Sequence, residues 1–175
     1  MPIDTSIDFV AINIAVITIS DSRTLENDTS GDTLEKRINK AGHHMMKRTI
    51  IPDDVSQIKE TLTSMSKLKE IDCIITTGGT GLTGRDTTPE AVKEIASKHI
   101  DGFGELFRQV SFNKIGTSAI QSRAVAALIN STYVFCLPGS TGACKDGWDE
   151  ILKYQLDIRH KPCNFVEIMP RLNEK

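Results

Sequence analysis

The chain has 175 residues, of which 25% are charged and 39% hydrophobic, and its formal net charge is −2. This length suffices for one domain with a sizeable core, and the composition is ordinary for a globular protein. The slightly acidic balance gives no electrostatic basis for nucleic-acid binding, and no apolar run approaches the length of a membrane span.

The N-terminal residues predict a loose arm over residues 1–9, followed by a single domain over residues 10–170. The arm has neither the basic region nor the apolar region of a signal peptide. We therefore expect a cytoplasmic protein with no membrane partner.

Strand-like and helix-like segments alternate along the domain. Apolar and β-branched runs predict four core strands, over residues 11–19, 44–51, 73–77 and 132–137. Helical spacing of apolar residues predicts a helix that follows several N-cap candidates in residues 27–32 and stops at Gly42, and further helices after Asp54, over residues 88–99 and 105–115, and around Trp148. We also expect a short helix over residues 120–129, although such an Ala/Val/Ile run is ambiguous. This alternation predicts an α/β fold with a mostly parallel sheet covered by helices on both faces.

The most informative stretch follows the third predicted strand. Four glycines, Gly78, Gly79, Gly81 and Gly84, stand within seven residues, and Thr88 with Pro89 and Glu90 is typical of a helix start with Thr88 as the N-cap. Glycine at this density indicates a tight turn or a backbone that approaches a ligand closely. A strand, an amide-rich turn and a helix N-terminus together predict an anion site.

Two known phosphate motifs nearly match this stretch. A Walker A loop fails because Arg85 and Asp86 stand where Lys and Ser or Thr are required. Gly79 to Gly84 also satisfies G-x-G-x-x-G, which leaves an NAD-type dehydrogenase as an alternative, although three residues separate this motif from the predicted cap. Asp86 would repel a phosphate unless a cation lies between them or the acid has a chemical task, whereas Arg85 can contact phosphate directly.

Polar turns follow all four predicted strands, over residues 20–23, 52–54, 77–86 and 137–141. The ends of parallel strands share one sheet edge, so these turns can converge on one cleft. We expect one of Asp53 and Asp54 to serve only as a helix cap. Residues 28–31 form either a second ligand loop or a plain cap. Such a cleft suits a phosphorylated or nucleotide ligand with Mg²⁺.

The stretch from Thr76 to Ala91, TTGGTGLTGRDTTPEA, resembles the signature of the MoaB/MogA family of molybdenum cofactor biosynthesis proteins, which is related to the G domain of gephyrin. Further matching segments are residues 19–21, 51–53, 102–105, 121–123 and 137–140. The ending, residues 155–165, is similar to the MoaB branch in particular.

The resemblance implies a three-layer α/β/α fold, molybdopterin binding over residues 10–170, and a homotrimer or homohexamer. It also implies that Mg²⁺-ATP adenylylates molybdopterin, with pyrophosphate as the second product. The alternative is a non-catalytic molybdopterin-binding or assembly protein of the same pathway.

Site residues follow from the same resemblance. Asp86 matches an acid that acts at the transfer site or on Mg²⁺, and Asp53 matches an acid that helps to place the pterin phosphate. The phosphate cradle would be Gly78, Gly79, Thr80 and Gly81. Candidate pterin or nucleotide contacts are Ser20, Asp21, Arg85, Ser118, Ser122, Pro138, Gly139 and Ser140.

Overall fold

A computed structural model describes residues 3–174 and contains a six-stranded sheet with the strand order β2-β1-β3-β6-β5-β4. The strands are β1 (Asn13–Ile19), β2 (His44–Ile51), β3 (Cys73–Thr77), β4 (Lys98–His99), β5 (Val125–Ile129) and β6 (Thr132–Leu137). β1, β2, β3 and β6 run parallel, and β5 is antiparallel to both of its neighbours. The four parallel strands are those that the apolar runs predict.

Helices cover both faces of this sheet. The main helices are α1 (Thr29–Lys40), α2 (Val55–Met65), α3 (Thr88–Ile95), α4 (Asp101–Ile115) and α5 (Thr141–Gly147). The chain continues from α5 through a π-helical turn, Trp148–Leu152, and a last helical turn, Lys153–Gln155.

Two apolar clusters separate the layers. One joins α1, α4 and the α5 segment to the sheet through Leu34, Phe107 and Trp148. The other joins α2 and α3 to the opposite face through residues such as Leu62 and Val92. Every residue of β3 and β6 is buried, because helices lie on both sides of these strands. The three-layer α/β/α fold is thus confirmed.

The expected helix over residues 120–129 is wrong. Gly116–Gln121 is a 3₁₀ helix, and Val125–Ile129 is β5, which pairs with β6. The two strands are joined at Asn130, whose φ of 54° is in the left-handed region. Pairing with β6 fixes this short apolar run as a strand, which its own composition leaves undecided.

The bounds of two helices also differ from expectation. α3 ends at Ile95 because the backbone then turns to β5, where Ser97 N donates to Leu128 O at 2.8 Å. α4 begins at Asp101, so Gly104 lies inside it. A Cβ on Gly104 would lie 2.4 Å from the carbonyl oxygen of Ala124, so the glycine permits close packing of α4 against the chain leading into β5.

The N-terminal segment lies against the C-terminal part of the chain. Asp4 N donates to Arg159 O at 2.8 Å, and Ile3 bridges to His160. Met1 and Pro2 of the predicted arm lie outside the described residues. A short helix, Phe165–Ile168, and a 3₁₀ turn, Met169–Arg171, follow. Within residues 3–174, no helix combines the length and the apolar character needed to cross a membrane.

Candidate functional site

A cleft of about 480 Å³ lies at the carboxyl ends of β3 and β6. The glycine turn after β3, the turn after β6, helices α4 and α5 and the end of the 3₁₀ helix form its walls. Its lining residues are Gly78, Gly79, Thr80, Gly81, Asp86, Phe107, Ser111, Ile115, Gln121, Ser122, Pro138, Gly139, Ser140, Gly142, Ala143 and Asp146. The cleft therefore lies at the sheet edge where open α/β folds bind ligands.

The glycine turn packs too tightly for side chains. Gly78 has a φ of 104° and Gly79 a φ of 65°, both in the left-handed region. A Cβ on Gly78 would lie 2.2 Å from the carbonyl oxygen of Ile19 at the end of β1. Gly78 N donates to Leu137 O at 3.0 Å, which attaches the turn to β6 as well. The turn is thus held between two neighbouring strands.

Not all backbone N–H groups of the turn are used internally. Gly78 N is bound to Leu137 O, but within the described part of the chain no hydrogen bond is recorded for Gly79 N or Thr80 N. Both residues line the cleft. Unpaired N–H groups in a turn of this kind are suited to binding an anion.

Asp53 and Asp54 have different roles. Asp54 caps α2, accepting a hydrogen bond from Gln57 N at 2.9 Å, so the expectation that one of the two acids serves as a cap is confirmed. Asp53 accepts hydrogen bonds from the N–H of Thr87 at 3.1 Å and from its hydroxyl at 2.9 Å. The Asp53 carboxylate also lies 2.8 Å from the position a Cβ on Gly79 would occupy. It therefore supports the glycine turn from the side of β2.

Asp86 lies against the same turn at Gly81, where its carboxylate is 2.7 Å from the position a Cβ would occupy, and it lines the cleft. Its carboxylate accepts hydrogen bonds from the N–H of Thr83 at 2.8 Å and from the Thr83 hydroxyl at 2.6 Å. The Thr83 hydroxyl is the main reason that the pKa of Asp86 is lowered. A lowered pKa keeps the carboxylate ionised, which a Mg²⁺ ligand or an electrostatic role in transfer requires.

Arg123 fixes the loop that carries Asp86. Its guanidinium donates to Gly81 O at 2.7 Å and to Asp86 O at 2.7 Å, and it also pairs with Glu90. The backbone N–H of Arg123 donates to Thr80 O at 3.2 Å. One side chain thus connects both ends of the loop to the start of α3. The sequence contains Arg123 within a family segment, but nothing in its spacing indicates this role.

The protein's own oxygen atoms at the cleft can bind Mg²⁺ only if a ligand such as a phosphate and water supply the remaining oxygens. Among residues 3–174 no group of three or more His, Cys, Asp or Glu side chains could hold a metal ion. Mg²⁺ commonly binds one or two carboxylates and takes its remaining oxygens from water and substrate phosphates. Asp86 beside free amides is compatible with that kind of site.

A family model described as "Probable molybdopterin binding domain" matches residues 15–158. This match covers most of the chain. The chain belongs to the MoaB/MogA family of molybdenum cofactor biosynthesis proteins.

Relatives and solved structures agree with this assignment. The chain is 42% identical over 160 residues to "Molybdenum cofactor biosynthesis protein B" of Escherichia coli strain K12, covering 91% of this chain and 94% of the relative. A crystal structure of a molybdenum cofactor biosynthesis protein B matches with a TM-score of 0.85 and 35% identity, over 95% of this chain and 98% of that chain. The tungsten cofactor synthesizing protein MoaB of Pyrococcus furiosus matches with a TM-score of 0.72 and 35% identity, over 81% and 91%.

The fourteen site residues that the resemblance implies divide into two groups in space. Nine line the cleft: Gly78, Gly79, Thr80, Gly81, Asp86, Ser122, Pro138, Gly139 and Ser140. Five lie outside its lining: Ser20, Asp21, Asp53, Arg85 and Ser118.

The residues outside the lining have local roles or are exposed. Ser20 Oγ accepts from Arg23 N at 3.2 Å, and Asp21 accepts from Asp53 N at 3.1 Å. Arg85 is 82% exposed and only 3.9 Å from the Asp21 carboxylate, and Ser118 is exposed on the 3₁₀ helix. These residues surround the glycine turn on the β1 and β2 side or lie beyond the rim of the cleft.

The loop over residues 28–31 is a cap. Asp28 caps α1, accepting from Gly31 N at 2.9 Å, and also accepts from the Thr18 hydroxyl at 2.7 Å. Burial opposes its ionisation, but these hydrogen bonds and Arg48 outweigh burial and lower its pKa. The capping interpretation is therefore confirmed for Asp28.

The dinucleotide alternative loses its structural basis. A G-x-G-x-x-G fingerprint must open a helix, but α3 begins only at Thr88, four residues after Gly84. Thr88 is the first helical residue rather than the N-cap, and its hydroxyl donates to Gly78 O at 3.2 Å instead of capping the helix.

Several lining residues carry no motif. Phe107, Ser111 and Ile115 of α4 stand four residues apart, which places them on one helix face, so a helical spacing argument could have found them together. Gln121 belongs to the family-matching segment over residues 121–123, although it is not among the site residues that the resemblance implies, whereas Asp146 has no comparable signal because only the tertiary fold brings it to the cleft.

Proposed function

We propose that this protein binds molybdopterin in the cleft after β3 and β6 and adenylylates it with Mg²⁺-ATP, releasing pyrophosphate. The observation that carries the proposal is that two carboxylates lie against one amide-rich glycine turn, Asp53 beside Gly79 and Asp86 beside Gly81. The family domain described as molybdopterin-binding spans both acids and the turn.

The chain's own groups can position the reacting phosphates. The free N–H groups of Gly79 and Thr80 donate to a phosphate oxygen, and the buried turn holds these donors rigid before the substrate binds. Mg²⁺ held by Asp86 would neutralise charge on the ATP phosphates during transfer. Asp53 orients the turn through Thr87 rather than by entering the cleft.

The bonds formed and broken in this reaction are those of a nucleotidyl transfer. An oxygen of the molybdopterin phosphate attacks the α-phosphorus of ATP, a new P–O–P bond forms, and the bond to the leaving pyrophosphate breaks. Such a reaction needs mainly positioning and charge neutralisation, which fixed amides and an ionised carboxylate provide.

The test is pyrophosphate release from purified protein with ATP, Mg²⁺ and molybdopterin, beside Asp86→Asn and Asp53→Asn. We expect release by the wild type that falls at least about tenfold in each variant, which corresponds to about 1.4 kcal/mol of lost transition-state stabilisation. Asp54→Asn is the matched control, because asparagine is as good an N-cap as aspartate and α2 keeps its cap.

The alternative is a non-catalytic molybdopterin-binding or assembly protein. Molybdopterin binding without pyrophosphate release by the wild type would reject the adenylyltransferase and favour this alternative. Equal release by wild type and both acid variants would reject the roles proposed for Asp53 and Asp86.

We also propose a homotrimer or homohexamer. Three large apolar side chains on and just after α4 are exposed: Phe112 by 58%, Ile115 by 58% and Ile120 by 83%. Exposed apolar surface that is grouped in this way is typical of a protein–protein contact. Light scattering should give three or six times the chain mass of 19.3 kDa. A mass of one chain would contradict the proposal.

A further inference from the structure

The two ends of the cleft differ in chemistry. One end consists of the glycine turn with its free N–H groups. The other end lies between α4 and α5, where Phe107, Ile115 and Ala143 provide apolar surface. Asp146 places a carboxylate at this second end, and Asp86 is the only other acid among the lining residues of the described chain.

The carboxylate of Asp146 is fixed by a hydrogen bond to only one of its two oxygens. Lys114 Nζ, from α4, lies 2.5 Å from Oδ1, and Glu150 lies 3.7 Å from the same ammonium group. Within residues 3–174 no hydrogen bond is recorded to Oδ2, and the side chain is 21% exposed. One oxygen therefore fixes the carboxylate in place and leaves the other able to accept a hydrogen bond from a ligand.

A carboxylate at this position selects for hydrogen-bond donors. It would repel a phosphate, so it marks the end of the cleft away from the phosphate groups. The pyrimidine edge of a pterin carries a ring N–H and an exocyclic amino group side by side, and a carboxylate can accept from both. Adenine offers no such pair, because donors and acceptors alternate along its edges.

The spacing also suits a ligand that spans the cleft. The turn before α5 stands beside the glycine turn, because a Cβ on Gly139 would lie 3.2 Å from Gly78 Cα. Asp146 lies six residues after Ser140, the N-cap of α5, which corresponds to about 9 Å along a helix with a rise of 1.5 Å per residue. A molecule with a phosphate at one end and a pyrimidine ring at the other needs a separation of this order.

We infer that Asp146 binds the amino-pyrimidine edge of the pterin ring and thereby determines which ring system the cleft accepts. This inference rests on the proposed function, in which molybdopterin is the ligand. Asp146 is then a specificity residue, and Lys114 positions its carboxylate.

The test compares two rings that differ at one group. Pterin has an amino group at the position where lumazine has a carbonyl oxygen. Binding of pterin, lumazine and molybdopterin is measured by fluorescence titration with wild type, Asp146→Asn and Asp149→Asn. Asp149→Asn is the matched control, because Asp149 lies on the helical segment that continues from α5, pairs with Arg37 of α1 and does not line the cleft.

We expect the wild type to prefer pterin over lumazine by about tenfold or more, since a site built to accept hydrogen bonds rejects an analogue without the donor. Asp146→Asn should weaken pterin and molybdopterin binding by about tenfold or more and leave lumazine binding nearly unchanged. Asp149→Asn should behave as the wild type, and circular dichroism confirms that each variant is folded.

The outcomes separate this inference from the proposed function. If Asp146→Asn keeps the affinity for molybdopterin and the preference for pterin, the inference is overturned and the proposed function stands. If pterin and lumazine both bind too weakly to measure, the affinities for molybdopterin are compared instead. Equal affinities of wild type and Asp146→Asn overturn the inference, and a loss of about tenfold or more in Asp146→Asn supports it. A wild type that binds no molybdopterin overturns both.

Discussion

Single positions of the glycine turn require glycine because a side chain there would clash with neighbouring groups. Gly79 has a φ of 65°, and a Cβ there would lie 2.2 Å from Thr88 Oγ1 and 2.8 Å from the Asp53 carboxylate. The density of glycines in the sequence predicts such a close approach. The sequence does not reveal that the groups close to Gly79 belong to the protein itself, namely the hydroxyl of Thr88 and the carboxylate of Asp53.

Gly79→Ala should therefore destabilise the protein by roughly 1–3 kcal/mol, from backbone strain and displacement of Asp53 and Thr88. Denaturant unfolding measures this change. Gly84→Ala is the control in the same loop, since no atom lies within 4 Å of its added Cβ, and it should change stability by less than about 0.5 kcal/mol. Equal losses in both variants would contradict this explanation.

Arg123 acts through geometry that lysine cannot reproduce. A guanidinium donates in several directions at once and reaches Gly81 O and Asp86 O together, whereas an ammonium group on a flexible stem does not. We expect Arg123→Lys to loosen the loop over residues 81–86, seen as faster hydrogen exchange of its amides by at least about fivefold. Arg85→Lys, at a side chain that is 82% exposed, should leave this exchange unchanged. Unchanged exchange in Arg123→Lys would show that the loop does not depend on it.

At the scale of helices and strands, the sequence best predicts the elements whose own residues carry the pattern, without reference to distant parts of the chain. The strands from 44 to 51, 73 to 77 and 132 to 137 are found with the observed bounds, because their apolar runs are bordered by turn residues. β5 is missed because a five-residue Val-Ala-Ala-Leu-Ile run suits a helix or a buried strand, and only its pairing partners decide. Asn130 with Ser131 between two apolar runs is the hairpin signal that could have corrected this.

The same limit applies to the site. The motif predicts which residues form the glycine turn, since their conformation is demanded locally. It does not predict Asp146 or the contacts of Arg123, because these depend on how α5 and the segment before β5 pack around the turn. Long-range placement of this kind has no signature in the local sequence.

The hairpin between β5 and β6 gives a prediction at the scale of the element. Asn130 has a φ of 54°, and its side-chain amide donates to Ser66 Oγ at 2.8 Å. Asn130→Gly loses the hydrogen bond but keeps the conformation, whereas Asn130→Ala loses both. We expect Asn130→Ala to be less stable than Asn130→Gly by about 1 kcal/mol in denaturant unfolding. If the two variants have equal stability, the left-handed conformation is not what this position selects for.

At the scale of the whole molecule, three distant parts of the chain meet around His43, the residue just before β2. Phe9 of the N-terminal segment lies 5.1 Å from its ring, and Trp148 of the α5 segment lies 6.2 Å from it, as measured between centroids. Asp157, from the C-terminal part, acts on it electrostatically and pairs with Arg159. His43 is only 4% exposed, and its Nδ1 accepts a hydrogen bond from Ile12 N at 3.3 Å.

This environment makes His43 a source of pH-dependent stability. Burial lowers its pKa to about 4 from an ordinary value of 6.5, and His44 adds to this lowering while Asp157 opposes it. Between these two pH values the unfolded chain binds a proton that the folded protein does not, so stability increases with pH in this window and falls as pH drops. Five carboxyl groups have lowered pKa values, and they lose their contribution to stability only as pH falls below their ordinary values, which are lower than that of histidine: Asp4, Asp28, Asp86, Glu90 and Asp157.

We expect the wild type to lose about 1–3 kcal/mol of unfolding free energy between pH 7 and pH 4.5 through this one group. His43→Gln removes the titration, and its amide oxygen can still accept from Ile12 N, so this part of the pH dependence should disappear. His99→Gln, at an exposed position on β4, should retain it. Denaturant unfolding of the three proteins across this pH range is the measurement. If the unfolding free energy of His43→Gln changes with pH as steeply as that of the wild type, the contact of the N-terminal segment, β2 and the C-terminal part does not depend on a neutral His43.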